Sequence, residues 1–308
     1  MEIRANRFIV EDENGKDRVV LGVSKDGPGL MLSDENGTPR AGLAVNKEWS
    51  GLSLHDENGK SRADMFVSRD GSILSLSDKN GKTRVRMSVS EDEPMLTLLD
   101  ENGKARIGMV VNDGGPMLNL LDECGMPRAG MCMDKDGPRM FLFDENGKTR
   151  IGLAMSKDGT GLNIHDERGE TRVSLVVSED GPEFQLADED GMVRADLLVS
   201  KYESVLSFHD EIGKTRAGLT VDHDGSALCL LDENGKPRAA LAVNDGGPML
   251  AMLDENGQSR AGLGLRKGGP ALVLSDEIGT PCAGLAVNKD GPALNLSDKS
   301  GKIIGSLP

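Results

Sequence analysis

The chain has 308 residues with 40 glycines, one Trp, one Tyr and six Phe, and a formal net charge of −15. So acidic a balance argues against nucleic acid, whose phosphates need basic partners, and against anionic lipid surfaces. No apolar run reaches the ~20 residues of a membrane span. Met1-Glu2-Ile3-Arg4 opens no signal-peptide core, which leaves location open, with an extracellular or cell-surface setting as the default expectation.

In chain order, the first predicted element is a strand over Asn6-Arg7-Phe8-Ile9-Val10, followed at Asp12 by the turn sequence D-E-N-G-K. A second strand follows, with Val19, Leu21 and Val23 alternating with other residues, and then a second turn at Asp26-Gly27-Pro28. A third strand carries Leu30 and Leu32, and the next motif begins at Asp34. This pattern then recurs every 22 residues to Asp298 without insertion or deletion, so fourteen repeats make one continuous array over 1–308. A period this strict is the signature of repeats stacked in one fixed geometry.

Taking the motif Asp as position 1, apolar residues fall at positions 8, 10, 12, 19 and 21, a period of two that defines strands with one apolar face. Position 10 is Leu or Met in all fourteen repeats, among them Leu21, Met65, Met87, Met109, Met131 and Leu307. Asn-Gly and Asp-Gly both favour tight hairpins. Closing the first turn on its Glu and Lys pairs position 21 with 8 and 19 with 10. Closing the second turn on its Lys and Pro pairs 12 with 19 and 10 with 21. Either register sets apolar against apolar, as one-sided burial requires. The expected fold is therefore all-β: a long antiparallel meander that coils or packs in layers. The alternative is a two-sheet parallel β-solenoid. It would stack Arg on Arg at about 4.8 Å, because position 7 is Arg in twelve repeats, and like charges so opposed are unfavourable.

The other face, at positions 9, 11, 18, 20 and 22, is mostly small and uncharged, as in Gly42, Ala44, Gly51 and Ser53. Its exceptions include Asp64, Arg86, Arg139, Glu183 and Asp196. Such a face suggests contact with another sheet or chain. The Leu/Val face also demands cover, from the chain itself or from other copies.

Segments such as Asp100-Glu101-Asn102-Gly103-Lys104-Ala105-Arg106 resemble those of uncharacterised bacterial proteins built from tandem β-hairpins, and the resemblance covers the whole chain. More distantly, the D-x-x-G-[RK] turn is similar to the YD repeats of Rhs-type shells, which implies a spiral sheet. Here the Tyr before Asp is replaced by Ser, His, Leu, Ala or Phe.

No catalytic, cofactor-binding or metal-ligating residue is assigned. His55, His165 and His209 all precede a motif Asp, but Ser33, Ser77, Leu99 and Leu231 hold the same position, so the repeat does not require imidazole. His223 is a lone turn residue, and Cys124, Cys132, Cys229 and Cys282 occupy four different repeat positions. The motif shares its opening Asp and Asn with a calcium loop, but Lys and Arg follow where further oxygen ligands are needed. The expected function is a structural, self-associating protein, a rod, fibre subunit or spacer, without catalytic activity and partnered by itself. The alternative is a binding module presenting repeated turns to glycans or proteins, with Trp49 and Tyr202 as local contact points. Ends that keep the repeat pattern invite end-to-end pairing, with only Pro308 and the loss of Arg at Cys282 and Ile304 resembling caps.

Overall fold

The computed structural model describes residues 2–307, so Met1 and the cap-like Pro308 lie outside the described residues. Contacts divide the chain into two halves, the first ending at Lys157 and the second beginning at Asp158. The first half carries fourteen strands from Arg7–Glu11 to Thr149–Ser156, and the second fourteen from Gly159–His165 to Ile303–Leu307. Among the described residues there is no helix. Within each half every strand pairs antiparallel with its neighbours in sequence. The chain is thus a hairpin meander, and the parallel solenoid is excluded.

The first turn opens wider than a two-residue Asn-Gly loop. In the first repeat the loop is Glu13-Asn14-Gly15, closed by Asp12 N–H to the Lys16 carbonyl at 3.0 Å, while Gly15 N–H bonds the Asp12 carbonyl at 3.0 Å. Only the glycine takes positive φ, 73° at Gly15 and 79° at Gly103, as a type I turn followed by a left-handed residue requires. The extra residue appears as a bulge. Leu32 pairs with Ala41 and Ser33 with Pro39, leaving Arg40 out of the ladder. The expected pairings of 21 with 8 and 19 with 10 are kept, as in Leu32 with Ala41 and Leu30 with Leu43.

The second turn corrects the register read from sequence. Ser24 pairs with Gly27, so the loop is Lys25-Asp26 and the strands pair Leu21 with Leu30 and Val23 with Pro28. Position 10 therefore meets 19, and 12 meets 17, a slip of two from the expected register. The cause is position 13, whose side chain folds the turn: Ser24 Oγ accepts Asp26 N–H at 3.1 Å and Asn112 Oδ1 accepts Gly114 N–H at 2.9 Å. An even slip leaves apolar against apolar, so hydrophobic pairing alone could not distinguish the two registers.

One consequence is an apolar row crossing the strands, Leu21 to Leu30 to Leu43 to Leu52, in which each cross-strand pair contributes roughly 0.2–1 kcal/mol. Among the described residues the backbone of each strand approaches only its neighbours in sequence, and the Leu/Val face stays exposed, so neither half lays a second layer over it. Among the described residues the one buried hydrophobic side chain is Ala251, 6% exposed and on the other face.

Candidate functional site

Three surfaces could carry function: the edge of motif turns and the two faces. At the edge, the motif Asp organises its own turn. Asp100 Oδ1 accepts the amides of Asn102 at 2.8 Å and Lys104 at 3.0 Å. Its Oδ2 meets the Arg106 guanidinium at 3.6 Å. All twelve position-7 arginines pair in this way with the Asp six residues earlier. The Lys104 amide, the largest influence, holds the Asp100 carboxyl below the usual carboxylate range; desolvation opposes it, and the Asn102 amide and Arg106 charge add to it.

The same charged residues tie each turn to the next. Arg84 Nε donates to the Leu99 carbonyl at 2.9 Å, fifteen residues on, and Lys82 Nζ to the Glu101 carbonyl at 2.8 Å, nineteen residues on. The bulge at position 7 releases the Arg side chain for this task. Arginines of successive repeats are therefore separated by carboxylates and carbonyls rather than stacked. The carboxylate that suggested a calcium loop already receives two amides and a guanidinium. Among the described residues no group of three or more His, Cys, Asp or Glu side chains converges as a metal site.

The Leu/Val face lies open. Every position-10 side chain is exposed, from 37% at Leu153 to 60% at Leu307, and Val23 at position 12 reaches 68%. In the first half this face forms a groove of about 920 Å³ lined by Met65, Met87, Met109, Met131, Met133 and Met155, among others.

On the other face the histidines are more engaged than the sequence suggested. His209 Nε2 lies 2.5 Å from Asp196 Oδ1 and its Nδ1 3.2 Å from Thr215 Oγ1. Positions 22 and 9 of one repeat and 6 of the next thus converge, a spacing visible only once the register is known. His55 Nε2 meets Ser53 Oγ at 3.0 Å, and His165 Nδ1 meets Thr171 Oγ1 at 3.2 Å. His223 stays on its turn beside Asp224 at 3.2 Å. Tyr202 also sits on a turn, 78% exposed, with the Lys201 ammonium 5.5 Å from its ring centre. The four cysteines are unpaired.

These features define the class: a tandem β-hairpin repeat protein whose recurring charged motif builds its turns. No family model matches the chain, and no curated protein is similar to it. Among solved structures it is similar to a TarM mutant of S. aureus in complex with fondaparinux, alpha-GlcNAc-glycerol and UDP (14% identity, TM-score 0.22, 34% of this chain and 20% of that one). It is also similar to TcdB2-TccC3-TEV (10% identity, TM-score 0.20, 98% of this chain and 20% of that one). A third likeness is to a functionally unknown protein from Desulfotomaculum acetoxidans (8% identity, TM-score 0.17, 87% of this chain and 95% of that one). The chain spans 20% of the length of the first two. TM-scores this low carry no argument about function.

Proposed function

We propose that this chain is a structural, self-associating protein without catalytic activity, in which the Leu/Val faces of separate copies pack against one another. On its motif it is grouped with bacterial tandem-hairpin repeat proteins, and its kinship with YD repeats is confined to the hairpin unit. The observation that carries the reading is the exposure of every position-10 side chain, 37% or more in all fourteen repeats. Positions 8, 10, 12, 17, 19 and 21 hold no charged residue anywhere in the chain. A surface that apolar, that continuous and uncovered within either half is what one copy offers another.

Covering the exposed half of each position-10 side chain is worth roughly 1 kcal/mol. Ten repeats in register then supply about 10 kcal/mol, on the order of the ~4–15 kcal/mol that association costs in lost freedom. Positions 12, 19 and 21 add to it. The motif residues, meanwhile, are occupied in turn building, which favours a scaffold over a chemical site.

The test replaces Leu219, Leu241 and Leu263 together with Glu. These side chains are 42%, 52% and 52% exposed, so the fold accommodates the change. Light scattering should show assemblies for the native chain and single chains for the variant, with unchanged β circular dichroism. Equal particle sizes for the two would refute the reading.

A further inference from the structure

The small-residue face is interrupted by a cleft that the self-association reading does not use. Strands Arg7–Glu11, Asp17–Ser24, Gly27–Ser33, Pro39–Val45, Trp49–His55 and Ser61–Ser68 border a concavity of about 650 Å³ in the first half. That lies within the ~300–1,000 Å³ typical of small-ligand sites. Trp49, the chain's only Trp, and Phe66 form its aromatic wall, edge to face with centroids 5.7 Å apart, each 37% exposed.

Trp49 stands at position 16, which in neighbouring repeats is Gly27 and Gly71 at φ of 127° and 138°. It is accommodated because Asn46 Oδ1 takes over the turn, accepting the amides of Glu48 and Trp49 at 2.8 Å each. Phe66 lies across Gly51: a Cβ there would come within 2.5 Å of the ring, so glycine is required beneath it.

The register places polar groups next to this wall. Gly51 pairs with Phe66, Ser53 with Asp64, and His55 with Ser61, so aromatic gives way to carboxylate two residues along, about 7 Å on the same face. Asp64 accepts the Ser61 hydroxyl at 2.6 Å, and His55 is held by Ser53. His55 Nδ1 also meets the Gly59 carbonyl at 3.2 Å, so both ring nitrogens are engaged, whereas the Asp64 carboxylate keeps acceptor capacity.

We infer that this cleft is a binding site for an uncharged oligosaccharide. The C–H face of one pyranose ring rests on Trp49 and Phe66, and its hydroxyls donate to Asp64. An apolar platform beside a carboxylate acceptor matches a ligand with one apolar face and a rim of hydroxyls. Arg7, which also lines the cleft, is paired with Asp17 at 3.2 Å, so Asp26 and Asp64 in the lining and the net charge of −15 disfavour anionic sugars. The seven residues from Trp49 to His55 span about 20 Å, enough for several rings.

As the sole Trp, Trp49 reports on its own site. Titrating the full chain with cellotetraose, maltotetraose and chitotetraose should give a saturable change in Trp emission with at least one of them, and none with tetragalacturonate. By calorimetry, Asp64→Asn should weaken that binding about tenfold, as loss of a charge-assisted hydrogen bond does. Phe66→Ala should abolish it, and Tyr202→Phe should leave it unchanged. The inference is overturned if no neutral tetrasaccharide binds at millimolar concentration. It is equally overturned if Asp64→Asn binds as tightly as the native chain, or if binding leaves Trp49 emission unaltered.

Discussion

Three glycines of a single repeat should respond to the same substitution, Gly to Ala, in three different ways. Gly103 closes a motif turn at φ 79°, and an added Cβ would meet nothing within 4 Å. Its cost is purely conformational, about 1–2 kcal/mol for an L residue held in the left-handed region. Gly108 has ordinary backbone and open space around it. Alanine there should be neutral or stabilise by about 0.5 kcal/mol, because it restricts the unfolded chain. Gly115 combines φ of 104° with a neighbour: its Cβ would fall 2.0 Å from the Met133 carbonyl oxygen in the strand Pro127–Asp134. Backbone must move there, so strain and overpacking together cost roughly 3 kcal/mol or more. Amide hydrogen exchange of the strands Ala105–Asn112 and Gly115–Leu121, with thermal melting, ranks the three. The expected order of destabilisation is Gly115, then Gly103, then Gly108. Gly108→Ala proving as damaging as Gly115→Ala would refute the turn and face assignments together.

Three further outcomes follow from the turn edge and the fold. Thirteen motif aspartates hold their proton less tightly folded than unfolded, so unfolding in acid takes up protons. Their contribution is present above the unfolded carboxylate pKa and lost as pH falls through the depressed values, so the Tm should hold level from pH 8 to 5 and drop below about pH 4; a fall already at pH 6 would contradict this. Arg84→Ala removes bonds to Leu99 and Asp78 and should cost about 1 kcal/mol, the guanidinium being partly exposed; it should speed exchange in the turns at Asp78 and Asp100, whereas exchange unchanged in both would contradict the tie between turns. Far-ultraviolet circular dichroism should show β-structure, and a helical double minimum would contradict the fold.

Strand faces and repeat length were legible in the sequence because period two and a 22-residue interval are local signals. The second-turn register was not, since hydrophobic alternation is blind to an even slip. The deciding signal was position 13, which is Ser, Asn or Asp in twelve of its fourteen occurrences, with Glu2 and Arg266 the exceptions. The partners of Arg in D-x-x-G-K-x-R lie six and fifteen residues away and that of Lys nineteen, and only the folded turns bring them together. The cleft at Trp49 was harder to see, because its residues are departures from the repeat at positions 9, 11, 16 and 22. Single departures resemble decay of the pattern until the register sets them side by side.

The central claim is that the uncovered Leu/Val face finds its cover in another copy. Sedimentation velocity of the native chain across a micromolar concentration series, at physiological and at high salt, tests it most directly. An apolar interface predicts species larger than one chain, growing with concentration and undiminished by salt. A single species at the mass of one chain under every condition would contradict the account.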